Sequence, residues 1–408
     1  MNLIKEAEKV LYAKFEELNE IAFANQEKVL KALQRKNVHE SHFNSSTGYG
    51  YDDMGRDDLE GIYAEVFGAE DAMVRSQIVS GTHAISSCLF GILRPGDELI
   101  SLIGSPYDTL GNVIGKNNPT LGTLVERGVI YREVPLTPAL NPDLEAIGTA
   151  VTPRTRMVLI QRSRGYALRP ALTVKQIEAI TQLVKRISPD TIVMVDNCYG
   201  EFTDTVEPTQ VGIDIMAGSL IKNPGGGLAP AGGYIAGRAG LVGQVACHIT
   251  APGLGKELGA SLQSNRLLYQ GLFLAPHVVL QALKGACLLA YCFARQGYEV
   301  SPNWDEVRGD IVQTVKLNNP DEVLKFCQVV QSSSPVDNNV RLEFAPMPGY
   351  TDKIIMAAGT FVQGSSIELS CDAPMRQPYC VYMQGGLTYE HYRYTVRELI
   401  DTIILKRA

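Results

Sequence analysis

The 408-residue sequence has one tryptophan, six histidines and eight cysteines, with no Cys-x-x-Cys pair. That excludes the usual cysteine and histidine spacings of a structural metal site, and no metal is expected. The cysteines read instead as reduced thiols of a cytoplasmic protein. Positive charge is also scarce: 37 Lys and Arg face 44 Asp and Glu, for a net charge of −7. A general nucleic-acid binder carries the opposite balance, so no nucleic-acid partner is expected. Long unbroken apolar runs are missing too. The most membrane-like stretch, His277 to Ala294, contains Gln281 and Lys284 and reads as a buried or amphipathic helix rather than a span. The first residues, Met1-Asn2-Leu3-Ile4-Lys5-Glu6, run into a Glu/Lys-rich helical pattern with no apolar signal core. What remains is ordinary globular composition, 45% hydrophobic and 20% charged, in a chain long enough for two or three domains.

Apolar residues recur at helical spacing from Leu3 to Leu33. His39 to Asp58 is then polar and rich in Ser, Gly, Tyr and Asp, which predicts an exposed arm. From about residue 60, strand-like and helix-like segments alternate, as in an α/β sheet. Strands are predicted at 72–74, 98–101, 157–160, 192–195 and 233–236, and helices at 84–93 and 174–187, the second capped by Thr173. Two helical stretches, near 256–272 and 276–296, follow. Strands near 310–316, 340–344 and 366–370, with a helix near 320–331, predict a smaller α+β domain. The resulting division is an N-terminal helix and arm at 1–59, a large α/β domain at 60–270 and a C-terminal α+β domain at 271–408.

Two residues suggest the chemistry. Lys222 closes the apolar segment Ile213 to Ile221 and opens the Gly-rich string Asn223-Pro224-Gly225-Gly226-Gly227. Asp196 lies 26 residues upstream, at the end of Thr191-Ile192-Val193-Met194-Val195. Pyridoxal phosphate needs this pair of groups: an amine to hold its aldehyde as a Schiff base, and a carboxylate to keep its ring nitrogen protonated. Ligands of α/β sheets sit at the carboxyl ends of strands, where both residues are placed. A buried lysine is expected to have a depressed pKa, which suits imine exchange. Ser80-Gly81-Thr82-His83-Ala84 lies between a predicted strand and helix, where free N–H groups favour a phosphate. Ser219 offers a second hydroxyl. His83 either stacks on the cofactor ring or is a satisfied loop histidine. Tyr107, after the strand at 98–101, offers an aromatic face. In the arm, Tyr49, Tyr51 and Arg56 are candidates for reaching a neighbouring subunit's phosphate. Arg376 and Arg162 are candidates for a substrate carboxylate, with Arg164 as a competitor.

These residues make the chain resemble fold-type I pyridoxal-phosphate enzymes of Cys/Met metabolism, the group of the cystathionine and methionine lyases. It is most similar to the branch known as methionine gamma-lyase family or aluminium-resistance proteins. The marks are Gly48-Tyr49-Gly50-Tyr51-Asp52-Asp53-Met54-Gly55-Arg56-Asp57, Ser80 to Ala84, Asp196-Asn197-Cys198-Tyr199-Gly200-Glu201-Phe202, Ser219 to Gly227 and Gln384-Gly385-Gly386-Leu387-Thr388-Tyr389-Glu390. The resemblance implies an aspartate-aminotransferase-like fold, with a large mostly parallel sheet and a smaller α+β domain. It implies that Lys222 is the Schiff-base lysine, Asp196 the ring-nitrogen partner, Gly81, Thr82 and Ser219 part of the phosphate cup, and Tyr107 the stacking ring. It further implies a homodimer or homotetramer whose arms complete neighbouring sites.

The chain departs from the lyases in two places. Their Tyr-x-Arg in the arm is here Tyr49-x-Tyr51 with Arg56 further on, and their Asn-Pro before the aspartate strand is replaced by Gln161-Arg162-Ser163-Arg164-Gly165-Tyr166. The expected activity is carbon–sulfur bond cleavage in a sulfur amino acid of cystathionine, methionine or cysteine type, by β- or γ-elimination. The alternatives are an aminotransferase, decarboxylase or aldolase reaction with the same cofactor, or a non-catalytic metal-resistance binding protein.

Overall fold

In the computed structural model, which describes residues 2–404, the N-terminal periodicity becomes two helices, Asn2–Val10 and Tyr12–Arg35. A central sheet follows, with strands β1 (Asp71–Arg75), β2 (Glu98–Ser101), β3 (Ile130–Glu133), β4 (Thr155–Gln161), β5 (Ile192–Asp196), β6 (Ile215–Ser219) and β7 (Gly233–Gly237). Their order is β1-β7-β6-β5-β4-β2-β3. The run from β6 to β3 is parallel, and β7 pairs antiparallel with both of its neighbours. Parallel strands are buried on both faces, which explains why β5 reads Ile-Val-Met-Val with no polar alternation. Successive side chains still divide. Val158, Ile160, Val193 and Val195 enter one core, and Met157, Leu159, Ile192 and Met194 enter the core on the opposite face.

A second sheet has β8 (Glu299–Ser301), β9 (Gln313–Lys316), β10 (Ile354–Ala357), β11 (Ser370–Pro374) and β12 (Cys380–Gln384), antiparallel throughout in the order β10-β11-β12-β9-β8. Residues 340–344, expected as a strand, form none. The nearest pairing is a single bridge from Ala345 to Ile354. The strand expected at 366–370 begins at Ser370 instead.

The two helical stretches expected on either side of residue 275 are one helix, Asn265–Ala294, with Pro276 inside it. Proline removes one N–H, but burial of most of this helix supplies the packing that keeps it continuous. It is long and apolar enough to cross a membrane, yet its most apolar window is 67% buried inside the protein. The helix links the two sheets, and the boundary expected at residue 270 falls within it. It also presses on the turn after Lys222. A Cβ added to Gly226 would lie 2.3 Å from the Gly271 carbonyl oxygen, so only glycine permits that approach.

Candidate active site

Strands β4, β5 and β6 end side by side, because Gln161 pairs with Asp196 and Asp196 with Ala217 in the parallel ladders. Chain direction alone therefore brings Gln161, Asp196 and Ser219 to one edge. Three residues beyond β6, Lys222 joins them in a cavity of about 230 Å³. Asn223 fixes its position. The Asn223 side-chain amide donates to the carbonyls of Tyr199 (3.0 Å) and Glu201 (2.9 Å), tying the lysine turn to the loop after Asp196. That loop holds Tyr199 at φ 70° and Phe202 at φ 62°, left-handed conformations that non-glycine residues adopt only when their surroundings impose them. The Lys222 amine lies 4.0 Å from the centre of the Tyr199 ring.

On the opposite side, helix Gly81–Ile92 points its N-terminus at the cavity. Ser80 caps it, accepting from the His83 N–H at 3.0 Å. The amides of Gly81 and Thr82 precede the first helical donor, the Ala84 N–H to the Ser80 carbonyl, and are available to an anion. A Cβ on Gly81 would lie 3.2 Å from both Cys198 Sγ and Ser219 Cβ, so a glycine here keeps the cradle open. The Thr82 hydroxyl lies 3.0 Å from the Tyr107 hydroxyl, and the Tyr107 N–H donates to Gln161 Oε1 at 2.8 Å. Tyr107 thus lines the cavity from a fixed backbone.

Burial raises the Asp196 carboxyl pKa, while the Lys222 amine pulls it down. Burial prevails, and its Oδ1 accepts from the Cys198 N–H at 3.1 Å. Burial also pushes the Lys222 ammonium down, but the Cys198, Tyr199, Asp196 and Tyr107 side chains outweigh it and hold the pKa well above the ordinary lysine value. The depressed lysine expected from sequence is therefore not found. Cys198 and Tyr199 are themselves pushed up by burial.

Several sequence-based expectations place residues elsewhere. Arg162 is 1% exposed and lies behind the strand ends, donating to Asn197 Oδ1 (2.8 Å) and Thr203 Oγ1 (3.1 Å) beside Glu207. It lines no part of the cavity. Arg376 lies outside as well, paired with Asp352 and donating to the Tyr166 carbonyl at 3.1 Å. Arg164 donates to Ser301 and Thr314. Arg56 does not project from the arm: it is buried, and it binds the carbonyls of Gly50 and Gly259 and the Asp57 carboxylate. His83 accepts from the Val79 N–H at 3.1 Å and is absent from the cavity lining, so it serves its own loop. Tyr49 and Tyr51 are 70% and 52% exposed, with ring centres 5.7 Å apart. The small domain contributes Asp372, Gln384, Tyr350 and Val312 to the lining; Gln384 opens the motif that runs to Glu390, and none of the four was named from sequence as a site residue.

Fold and cavity together define a two-domain α/β enzyme with a lysine and a carboxylate at the carboxyl edge of its parallel strands. The family model described as methionine gamma-lyase matches residues 1–404, and the chain belongs to that family. The uncharacterised protein YnbB of Bacillus subtilis is 48% identical over 392 residues, covering 96% of this chain and 93% of its own. A carbon–sulfur lyase involved in aluminium resistance from Clostridium novyi superposes with a TM-score of 0.94 at 46% identity, over 99% of this chain and 95% of that one. A methionine gamma lyase from Micromonospora echinospora shares the fold, with a TM-score of 0.57 at 18% identity over 89% and 90%.

Proposed function

We propose that this chain is a pyridoxal-phosphate-dependent carbon–sulfur lyase acting on a sulfur-containing amino acid. The observation that carries the reading is the joint opening of Lys222, Asp196 and the N-terminus of helix Gly81–Ile92 onto one cavity. The residues fit the cofactor as a set. Lys222 would hold the aldehyde carbon, the Asp196 carboxylate the protonated ring nitrogen, and the Gly81 and Thr82 amides with the Ser219 hydroxyl the phosphate. When bound, the group supplies a cationic ring that stabilises negative charge on the substrate α-carbon.

The chain's own residues then divide the work. With Asp196 turned to the ring nitrogen its hold on Lys222 would weaken, and burial, which lowers the lysine's pKa, would gain weight. A neutral Lys222 amine is the base placed to take the α-proton. Tyr199, beneath the amine, limits its swing, and Tyr107 closes the opposite side of the cavity. Loss of the sulfur substituent, with one water consumed, gives a thiol, a keto acid and ammonia. Pure cofactor-loaded enzyme is tested with cystathionine, methionine, cysteine and homocysteine. Absence of both keto acid and thiol from all four removes the lyase assignment.

The exposed Tyr49 and Tyr51 pair stands on an arm pinned by the Gly259 N–H to Tyr49 carbonyl bond (2.9 Å). Rigid exposed aromatics suit a second copy of the chain, which supports a homodimer or homotetramer with shared sites. Sedimentation of the loaded protein as monomer alone would remove that part. The eight free cysteines suit a cytoplasmic setting, which fractionation of the native host cell checks.

A further inference from the structure

The small-domain wall of the cavity carries an acid that the mechanism leaves unused. Asp372 lies on β11 and faces the cavity alongside Gln384 and Tyr350. Its Oδ2 accepts from the Tyr166 hydroxyl (3.0 Å) and from Gln384 Nε2 (3.1 Å), and among the described residues no side-chain hydrogen bond reaches Oδ1. No salt bridge joins it to Lys222 among the described residues. Among the described residues Lys222 is the one cationic side chain in the lining, since Arg162, Arg164, Arg169 and Arg376 all turn to other partners. Aromatic faces flank the acid. The Tyr166 and Tyr350 ring centres are 5.9 Å apart at 37°, and Tyr199 closes a third side with its hydroxyl 3.3 Å from Ser366 Oγ.

A carboxylate with a spare oxygen, set among tyrosine rings and paired with no arginine among the described residues, has the composition of a cation site. An α-carboxylate would be repelled from this wall, and an ammonium drawn to it. Burial pushes the Asp372 carboxyl up to about 6, so near neutrality it is largely an ion in poorly solvated surroundings. A substrate cation would relieve that cost.

We propose that Asp372, with Tyr166 and Tyr350, forms a subsite for a positively charged group on the sulfur-borne side of the substrate. The favoured substrates are then S-substituted amino acids that carry a second ammonium. The identification of the sulfur-borne side rests on the lyase reading above; the cation preference does not.

The test compares two nearly isosteric compounds on the loaded enzyme, S-(2-aminoethyl)-L-cysteine and S-propyl-L-cysteine. Rapid-mixing absorbance of the bound cofactor gives dissociation constants, and thiol release gives kcat/KM. The charged compound is expected to bind and react at least ~10-fold better, a difference of about 1.4 kcal/mol. In Asp372→Asn that ratio should fall close to one. Equal or weaker binding of the charged compound by the wild type overturns the subsite, and so does a variant that keeps the full preference. The wild-type comparison stands alone should the variant not fold. A binding preference without thiol release from either compound would sink the lyase reading and leave the subsite standing. Equal thiol release from both would do the reverse.

Discussion

The large-domain wall and the small-domain wall meet at one cavity but are built differently. The first comes from the ends of adjacent parallel strands, so Gln161, Asp196 and Ser219 are aligned by the backbone ladder itself. It is also backed by buried polar groups, including Asn197, Glu201 and Glu207, that lock the loops in place. The second comes from positions scattered between Val312 and Gln384, on antiparallel strands and the loops between them. It is tied to the large domain across the cavity rim by the Tyr166 hydroxyl to Asp372 Oδ2 (3.0 Å), the Tyr199 hydroxyl to Ser366 Oγ (3.3 Å) and the backbone N–H of Ser366 to the Ile221 carbonyl (3.2 Å). We infer a division of labour: the rigid wall, held by its strand ladder and buried backing, fixes the chemistry, and the small-domain wall selects the substrate.

The strongest way to break that division is Lys222→Ala. Activity should fall by on the order of 10³-fold or more, together with the visible absorbance of the bound cofactor, while far-ultraviolet dichroism is unchanged. Retained absorbance would show that another amine holds the group. Asp196→Asn comes next. It keeps the hydrogen-bonding shape but removes the charge, and a loss of roughly 10²-fold in kcat is expected with the cofactor still bound. A near-normal rate would mean that the ring nitrogen has a different partner.

The two walls also differ in how far they could be read from sequence. Lys222, Asp196 and Ser219 lie at the end of apolar runs, and the Ser80 to Thr82 turn lies between a predicted strand and helix, so a local pattern locates them. The arginines are the contrary case. Arg162, Arg376 and Arg56 have the right charge for an anion, but their partners, Asn197, Asp352 and Gly259 respectively, are distant in sequence and visible only after folding. His83 fails for a different reason: its acceptor nitrogen is satisfied four residues away, by Val79. Asp372 gave no signal because one carboxylate in Ser370-Cys371-Asp372-Ala373-Pro374 follows no chemical spacing rule. The fold shows the same split. Helix Val174–Ile187 and its Thr173 cap are plain in the sequence because a Gln three residues on completes the capping box. Helix Asn265–Ala294 appears as two because Pro276 is a local breaker that tertiary burial overrides.

The smallest effect tests whether the rigid wall owes its order to its buried backing. Glu201 lies beneath β6, where Gly218 leaves room for it: a Cβ there would be 2.6 Å from Glu201 Oε1. That oxygen accepts from the Tyr234 hydroxyl at 2.7 Å, whereas Oε2 is buried with no hydrogen-bond partner among the described residues. Burial raises the carboxyl pKa to about 8, against the opposing pull of the Tyr234 bond. Between the ordinary value of 4.5 and about 8, the folded chain therefore keeps a proton that the unfolded chain has lost. Folding takes up that proton, so this group's contribution to stability falls as pH rises through the window, by at most about 1.4 kcal/mol per unit, and is flat on either side. Glu201→Gln mimics the protonated acid at every pH. Its thermal midpoint should match the wild type near pH 5 and exceed it progressively towards pH 8, by on the order of 2 °C per unit in a chain of this size. Turnover measured at pH 6 should change little, because the Glu201 side chain is not part of the cavity lining. Parallel midpoint curves from pH 5 to 8 would show that Glu201 is ionised in the folded protein, and that the backing of the large-domain wall is a charged network rather than a neutral one.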